Sequence, residues 1–516
     1  MKQRIIYFIA ILMFSSCSDF LEPKSKSEFV PKDVSSMNEL LLGTAYPRWD
    51  TKGFNVFLNI LDDDVTCAPY QPTTSGQNRK VWQAAYTWQP DMFTIFEDEG
   101  LSPNATNIYQ TYYTKILGAN AVLDYIDDLS DESDMRNLVT AQSYALRGYY
   151  YFTLVNIFGV PYNENKDGLG IPLKLTSGIE DRTFTRNTVQ EVYEQVLKDL
   201  LEAEHLYKLI PESEQWKNDY KTSLPMVQLL LSRVYLYMEE WQKSADYAQS
   251  VIANPNFSLL DLNNIITEND EGERVYTNFH SFSSPEVIWL YGNAEDVTYF
   301  VRHYSGENAN DPTSHCYFRA SDELLESFKE TAGDLRAERY IIGEYNPTYV
   351  NGEAYYIPQA FGKISVNSAY RPGSNIFARS FRLSEAYLNL SEATAMLYKE
   401  KGDNNALTQS LQALNTLRKY RFEDYTDEHI SDSDKLISFI QRERRRELCF
   451  EDHRWCDLRR WGMKSIQHTW IGEPNSSISY TLEEKDRGYT LPLPKAALEQ
   501  NKSLVQNPLA PAPRTN

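Results

Sequence analysis

Two stretches of the chain carry one arrangement: an apolar helical period, a polar turn, then a second apolar helical period. They are Leu224–Met238 followed by Trp241–Asn254, and Arg382–Lys399 followed by Asn405–Tyr420. Small residues (Ser232, Ala245 and Ala248; Ala386, Ala393, Ala395 and Ala413) fall where the two helices of each pair would touch. Pairs of about 34 residues are the length of tetratricopeptide-like units, which cannot bury an apolar face alone and must stack to share a core. Residues 105–127 and 136–158 show the same three- and four-residue apolar spacing, and Thr188–Leu206 opens with a cap residue and Glu191 in its first turn. The predicted fold is mainly α, a stack of such helix pairs.

Two long tracts break the pattern. Residues 50–104 and 255–380 are rich in Asn, Asp, Gly, Pro, Ser and aromatics and keep little helical period. Inserts that long in a compact protein are functional or separately folded. Within the second, Pro285–Tyr291 alternates enough to predict a short strand. The Pro-rich tail, Asn507–Asn516, is expected to be extended or frayed.

The first twenty residues point to export. Lys2 and Arg4 precede an apolar run, Ile5–Phe14, and Ser15-Ser16 lead into Cys17. A run of about ten residues cannot span a bilayer core of roughly 30 Å, so it reads as a cleaved signal. Residues 1–16 form that signal, and residues 17–516 are read as a single domain with inserts. Small residues directly before the cysteine resemble a bacterial lipoprotein signal, which makes Cys17 the lipid-bearing residue and leaves the body attached to membrane by lipid alone. The other cysteines, Cys67, Cys316, Cys449 and Cys456, form no C-x-x-C; they are expected to be small buried side chains, with a Cys449–Cys456 bridge as the alternative.

With 72 acidic against 51 basic side chains the net charge is −21, which opposes binding to a phosphate backbone and excludes nucleic acid as a partner. No H-E-x-x-H, P-loop, G-x-G-x-x-G or G-x-S-x-G occurs, and the seven histidines never pair at ligand spacing. No cofactor, metal site or catalytic residue is therefore predicted. Asp62-Asp63-Asp64 offers hard oxygens to Ca²⁺ but lacks the spaced ligands of an EF-hand, and is read as a solvated loop or helix cap. In Ile440–Met463 the arginines 444, 445, 446, 459 and 460 interleave with Glu443, Glu447, Glu451, Asp452 and Asp457. Such a segment is expected to satisfy its own charge at helical spacing and through bidentate pairs, rather than to bind an anion.

Several ordered segments then resemble the SusD/RagB-like family of nutrient-uptake outer-membrane lipoproteins of Bacteroidota. They are CSDFLEPKS (Cys17–Ser25), AQSYALRGYYYFTLVNIFGVP (Ala141–Pro161), FRLSEAYLNLSEA (Phe381–Ala393), ERRRELCFEDHRWCDLRRWG (Glu443–Gly462) and LPLPKAALEQNKSLVQNP (Leu491–Pro508). The resemblance implies about four tetratricopeptide-like helix pairs and a loop-rich, partly β variable half that faces ligand. It also implies a non-enzymatic surface protein that captures oligosaccharide, or in some branches peptide, beside a SusC-like TonB-dependent transporter. A lipid-anchored glycosidase is the more distant alternative.

The quoted segments are scaffold and locate no ligand. A sugar ring presents an apolar face and a rim of hydroxyls, so a site needs Trp or Tyr platforms beside side chains that both donate and accept. Two tracts supply this mixture: Asp62–Trp88, with Tyr70, Asn78, Arg79, Trp82 and Trp88, and Trp289–Tyr317, with Tyr291, Asp296, Tyr299 and Tyr304. These nine residues are the candidate ligand contacts.

Overall fold

The computed structural model describes residues 33–50, 57–68, 82–98, 108–129, 133–267, 270, 279–293, 318–341, 348–350, 353–355, 377, 379–473 and 475–514. Besides short helices of four to six residues, its helices are α1 (Val34–Thr44), α2 (Met92–Asp98), α3 (Ile108–Tyr125), α4 (Asp134–Phe158), α5 (Val189–Leu209), α6 (Leu224–Tyr237), α7 (Trp241–Ile252), α8 (Leu383–Lys401), α9 (Asn404–Lys419), α10 (Ser433–Leu448) and α11 (Arg454–Arg460). They begin where the sequence supplies caps. Ser133 and Ser223 accept from the third backbone amide of α4 and α6, and Thr188 with Glu191 forms a reciprocal capping box at the start of α5. Gly402, at φ 66°, ends α8 in the left-handed conformation that glycine adopts without strain.

The helices stack in sequence: α3 on α4, α4 on α5, α5 on α6, α6 on α7, α7 on α8, and α8 on both α9 and α10. Every small residue assigned to the helix contacts is buried. Two pairs share a further device. Ser232 and Ser244 each donate a hydroxyl to the other's carbonyl at 2.9 and 2.8 Å, and Ser391 and Ser410 do the same at 3.0 and 2.7 Å. A serine satisfied across the crossing lets two backbones approach closely, and its recurrence marks α6/α7 and α8/α9 as versions of one unit.

The strands pair two by two, all antiparallel: β1 (Val65–Cys67) with β3 (Phe318–Ala320), β2 (Val287–Tyr291) with β6 (Arg379–Arg382), β4 (Thr348–Val350) with β5 (Glu353–Tyr355), and β7 (Ile466–Glu473) with β8 (Ser476–Leu482). The strand expected at 285–291 is β2. The β7–β8 hairpin was not expected. Nor is the tail frayed through residue 514: Asn507 is buried, and Arg514 pairs with Asp486 at 2.7 Å.

The arginine-rich segment is ion-paired, as expected, but only partly within itself. Only Arg446–Glu443 and Arg460–Asp457 are helix-spaced pairs; Arg445 reaches Asp64, and Arg460 reaches Glu392. Arg459 has no acidic partner among the described residues and donates instead to the carbonyls of Asn156 and Gly159. Glu447 receives Arg336, Arg382 and Arg421 together with the Tyr340 hydroxyl. Burial pushes the Glu447 carboxyl up, and Arg421 and Arg382 more than reverse it, holding it well below the usual carboxylate range. Charges taken out of water need this density of partners, and α10 is thereby locked to the loops around it. Cys449 and Cys456 are not bridged. Burial pushes the Cys456 thiol up to about 11, which leaves it protonated at neutral pH.

Candidate ligand-binding surface

The described part of the first aromatic tract runs through β1 to residue 68 and resumes at Trp82; that of the second runs through β2 to residue 293, and β3 follows its last residue. Because Cys67 stands opposite Phe318 in the β1–β3 ladder, the start of one tract and the end of the other are side by side. The Tyr86 hydroxyl accepts from the Cys67 amide at 3.1 Å, which ties the end of the first tract to the same strand. At the far side, Tyr291 stands opposite Arg379, and the Gly292 amide donates to the Pro47 carbonyl at 2.9 Å.

Three of the nine candidate contacts are corrected by burial. Trp82 is wholly buried, edge-on to Phe96 at 5.3 Å between centroids. Trp88 is 3% exposed; its Nε1 donates to the Leu61 carbonyl at 2.9 Å and its ring stacks on His468. Tyr291 is 4% exposed, stacked on Trp289 and edge-on to Tyr149. These rings anchor the bases of the tracts and offer no face to a sugar. Tyr70, Asn78, Arg79, Asp296, Tyr299 and Tyr304 lie outside the described residues, as does Cys17.

The aspartate run is neither a solvated loop nor a cap. Asp63 is chelated by Arg454 through two 2.7 Å bonds, and Asp64 takes Arg445 at 2.7 Å. Burial pushes Asp63 up, and Arg454 and Arg445 pull it well below the usual carboxylate range; burial and the charges of Asp64 and Asp63 push Asp62 well above it. The carboxylates lie close enough together for a cation, but guanidinium groups already hold two of the three. Asp62 and Asp64 are raised as a glycosidase acid must be, yet at 2% and 1% exposure neither can reach a glycosidic oxygen.

Beside this cluster lies a cleft of about 990 Å³, enclosed by β1, the short helix Asp322–Ser327, α10 and β7. Glu323, Arg442 and Arg445 line it with the half-buried Trp461 and the exposed Lys464 and Gln467. Arg445 bridges Asp64 and Glu323 at 2.7 and 2.6 Å, and Arg442 meets Glu330 at 3.2 Å. The cleft is polar, carries both signs of charge and can donate and accept hydrogen bonds.

Two family descriptions match: "Starch-binding associating with outer membrane" over residues 19–236, and "SusD family" over residues 348–509. The chain belongs to the SusD/RagB-like family. SusD-like protein P2 of Formosa agariphila is 24% identical over 98% of this chain and 99% of its own length. A SusD superfamily protein of Bacteroides thetaiotaomicron superposes with a TM-score of 0.66 at 20% identity, over 92% of this chain and all of that one. A SusD-like carbohydrate binding protein of Bacteroides vulgatus does so at 0.63 and 20%, over 94% of this chain and all of that one. The helical-repeat fold is thus that of SusD-like proteins, which bind nutrients without catalysing a reaction.

The sequence of this SusD-like chain did not disclose the cleft. Its walls come from residues near 65, 323, 442 and 467, which only the fold brings together. The one local signal was Arg442, Arg445 and Trp461 in the arginine-rich segment, whose charge alternation reads as self-satisfied.

Proposed function

We propose that this SusD-like protein captures oligosaccharide or polysaccharide at the cell surface and delivers it to a SusC-like TonB-dependent transporter. Residues 1–16 are removed, Cys17 carries the lipid that holds it on the outer membrane, and residues 17–516 act as one domain. Outer-membrane association is the family's own description. Among the described residues no helix is long and apolar enough to cross a membrane. The observation that carries the ligand reading is the Cys67–Phe318 register, which anchors both aromatic tracts on one strand pair. Tyr70, Asn78, Arg79, Asp296, Tyr299 and Tyr304 are the contacts we assign to the ligand. Tyr rings supply apolar faces and the polar side chains supply the hydroxyl partners.

A second reading, capture of peptide, is favoured by one observation: the described cleft is lined by charges of both signs rather than by a flat aromatic platform. Isothermal titration against neutral and acidic polysaccharides and a casein peptide mixture separates the two, with reducing-end release assayed on the same samples. Saccharide binding without release is expected. Binding of peptides alone moves the assignment to the second reading, and release of reducing ends overturns both.

A further inference from the structure

His468, on β7, sits where three segments meet. Its Nδ1 lies 2.7 Å from the Tyr86 carbonyl oxygen and its Nε2 lies 2.9 Å from the Asp62 carbonyl oxygen. The ring is 3% exposed and sandwiched, with Tyr86 at 4.1 Å and 9° on one face and Trp88 at 4.3 Å and 22° on the other. One imidazole therefore ties Asp62, at the start of the first tract, to Tyr86 and Trp88 at its end.

Proton counting makes the ring's state a definite question. Carbonyl oxygens only accept, whereas a neutral imidazole has one N–H and one lone pair. A neutral ring would set lone pair against lone pair across one of the two short contacts; an imidazolium donates across both. Aromatic faces above and below also favour a cation. The surrounding charge agrees. Asp62, Asp63 and Asp64 face the guanidinium groups of Arg445 and Arg454, and among the described residues no ion pair holds Asp62. One further proton neutralises this buried cluster, on Asp62 or on His468. Burial and the charges of Asp64 and Asp63 push the Asp62 carboxyl up, while the Asp64 amide, donating to Asp62 Oδ1 at 3.0 Å, favours its ionised form.

We propose that the proton sits on His468, which is a buried imidazolium clamping the stem of the first tract. Burial opposes this and outweighs the carbonyls of Tyr86 and Asp62 and the charge of Asp63, leaving the ring drawn down to about 4; the two short contacts to carbonyl oxygens are what set the imidazolium against it. Asp62, Asp63 and Tyr86 act on the ring directly, and the titratable and charged groups that act on these are Asp64 and Cys67 from the β1 segment, Arg445 from α10, Arg454 from α11, and Tyr489. The consequence for ligand rests on the proposed function: His468 is a positioning residue for that tract, and releasing the clamp lowers affinity as pH rises. The protonation state itself does not depend on that reading.

The test is nitrogen NMR of the histidine-labelled full chain, with His468→Gln assigning the ring. Two N–H protons on one ring, surviving above about pH 7.5 where an ordinary histidine of pKa about 6.5 has lost one, are expected. In Asp62→Asn the second N–H is expected to be lost at a pH lower by about one unit or more. A single N–H at pH 6 overturns the proposal. Urea midpoints give an independent sign. A base whose folded pKa is raised contributes fully below its unfolded value and loses that contribution as pH rises through the folded one. The midpoint difference between wild type and His468→Gln is therefore expected to be largest below about pH 6.5 and to shrink above it. A difference that instead grows from pH 4 to 6.5 marks a buried neutral ring and overturns the proposal. Should His468→Gln fail to fold, wild type and Asp62→Asn decide the matter. Loss of all ligand binding with both N–H protons intact counts against the proposed function alone.

Discussion

Arg460 grips Glu392 through both of its terminal guanidinium nitrogens, at 2.6 and 2.8 Å, with 7% and 4% of the two side chains exposed. The Trp461 indole donates to the same carboxylate at 3.0 Å, so the end of α11 is fixed to the middle of α8. Removing one partner strands a buried charge. Glu392→Ala is expected to cost about 3–5 kcal/mol in urea unfolding, while Glu392→Leu combined with Arg460→Met regains most of it. A double variant as unstable as the single one would show that the pair's geometry, not its stranded charge, carries the stability.

Acid should unfold this protein through the same network. Burial pushes Glu443 up, but Arg336, Arg418 and Arg446 hold it well below its ordinary range, and Glu447 is held low in the same way. A carboxylate with a depressed folded pKa contributes stability above its unfolded value, about 4.3, and loses it as pH falls through the folded value. The urea midpoint is expected to be nearly level from pH 7 to about 5 and to drop steeply below about 4.3. A level profile down to pH 3 would mean that the buried pairs add nothing net.

The scaffold was legible in sequence because it is local. Caps such as Thr188 with Glu191, the apolar period of α6 to α9, and alanines at the crossings are all encoded within one or two helical turns. What escaped is long-range. The charge alternation correctly indicated pairing and some of its acids, Glu443 and Asp457, but not Asp64 and Glu392, which lie 381 residues from Arg445 and 68 from Arg460. Trp82, Trp88 and Tyr291 failed as ligand contacts for the same reason: a tract's composition does not say which rings point back into the core. The aspartate run looked solvated because the arginines that bury it are distant in sequence.

Burial redefines what Trp82 should do. Its ring is wholly enclosed beside Phe96, so Trp82→Ala is expected to cost about 3–5 kcal/mol of stability, read in thermal or urea unfolding. Any effect on ligand would follow from that loss. Tyr299→Ala and Tyr304→Ala, by contrast, are expected to weaken saccharide binding by about tenfold each, a little over 1 kcal/mol, in isothermal titration. If Trp82→Ala leaves stability unchanged and abolishes binding, the ring is a ligand platform and not a core residue.

Asn507 makes the Pro-rich tail, expected to be extended or frayed, into a fastener. Its side-chain amide donates to the Phe158 carbonyl at 2.9 Å and the Leu491 carbonyl at 2.7 Å, and its oxygen accepts from Arg186 at 2.7 Å. The residue is 5% exposed, and Arg186 also reaches the Phe158 carbonyl at 2.8 Å, so one asparagine closes the ends of α4, the segment before α5, and the tail into a single knot. Each buried polar group left without a partner costs about 1–3 kcal/mol. Asn507→Leu keeps the volume but orphans the Leu491 carbonyl and one Arg186 donor, and is expected to cost about 2–4 kcal/mol in urea unfolding. Asn507→Asp retains the acceptor for Arg186 while setting a carboxylate against two carbonyls, so it should be at least as damaging at neutral pH and recover in acid as the carboxyl gains a proton to donate. An Asn507→Asp variant as stable as wild type at pH 7 would mean that the tail is not held by this amide.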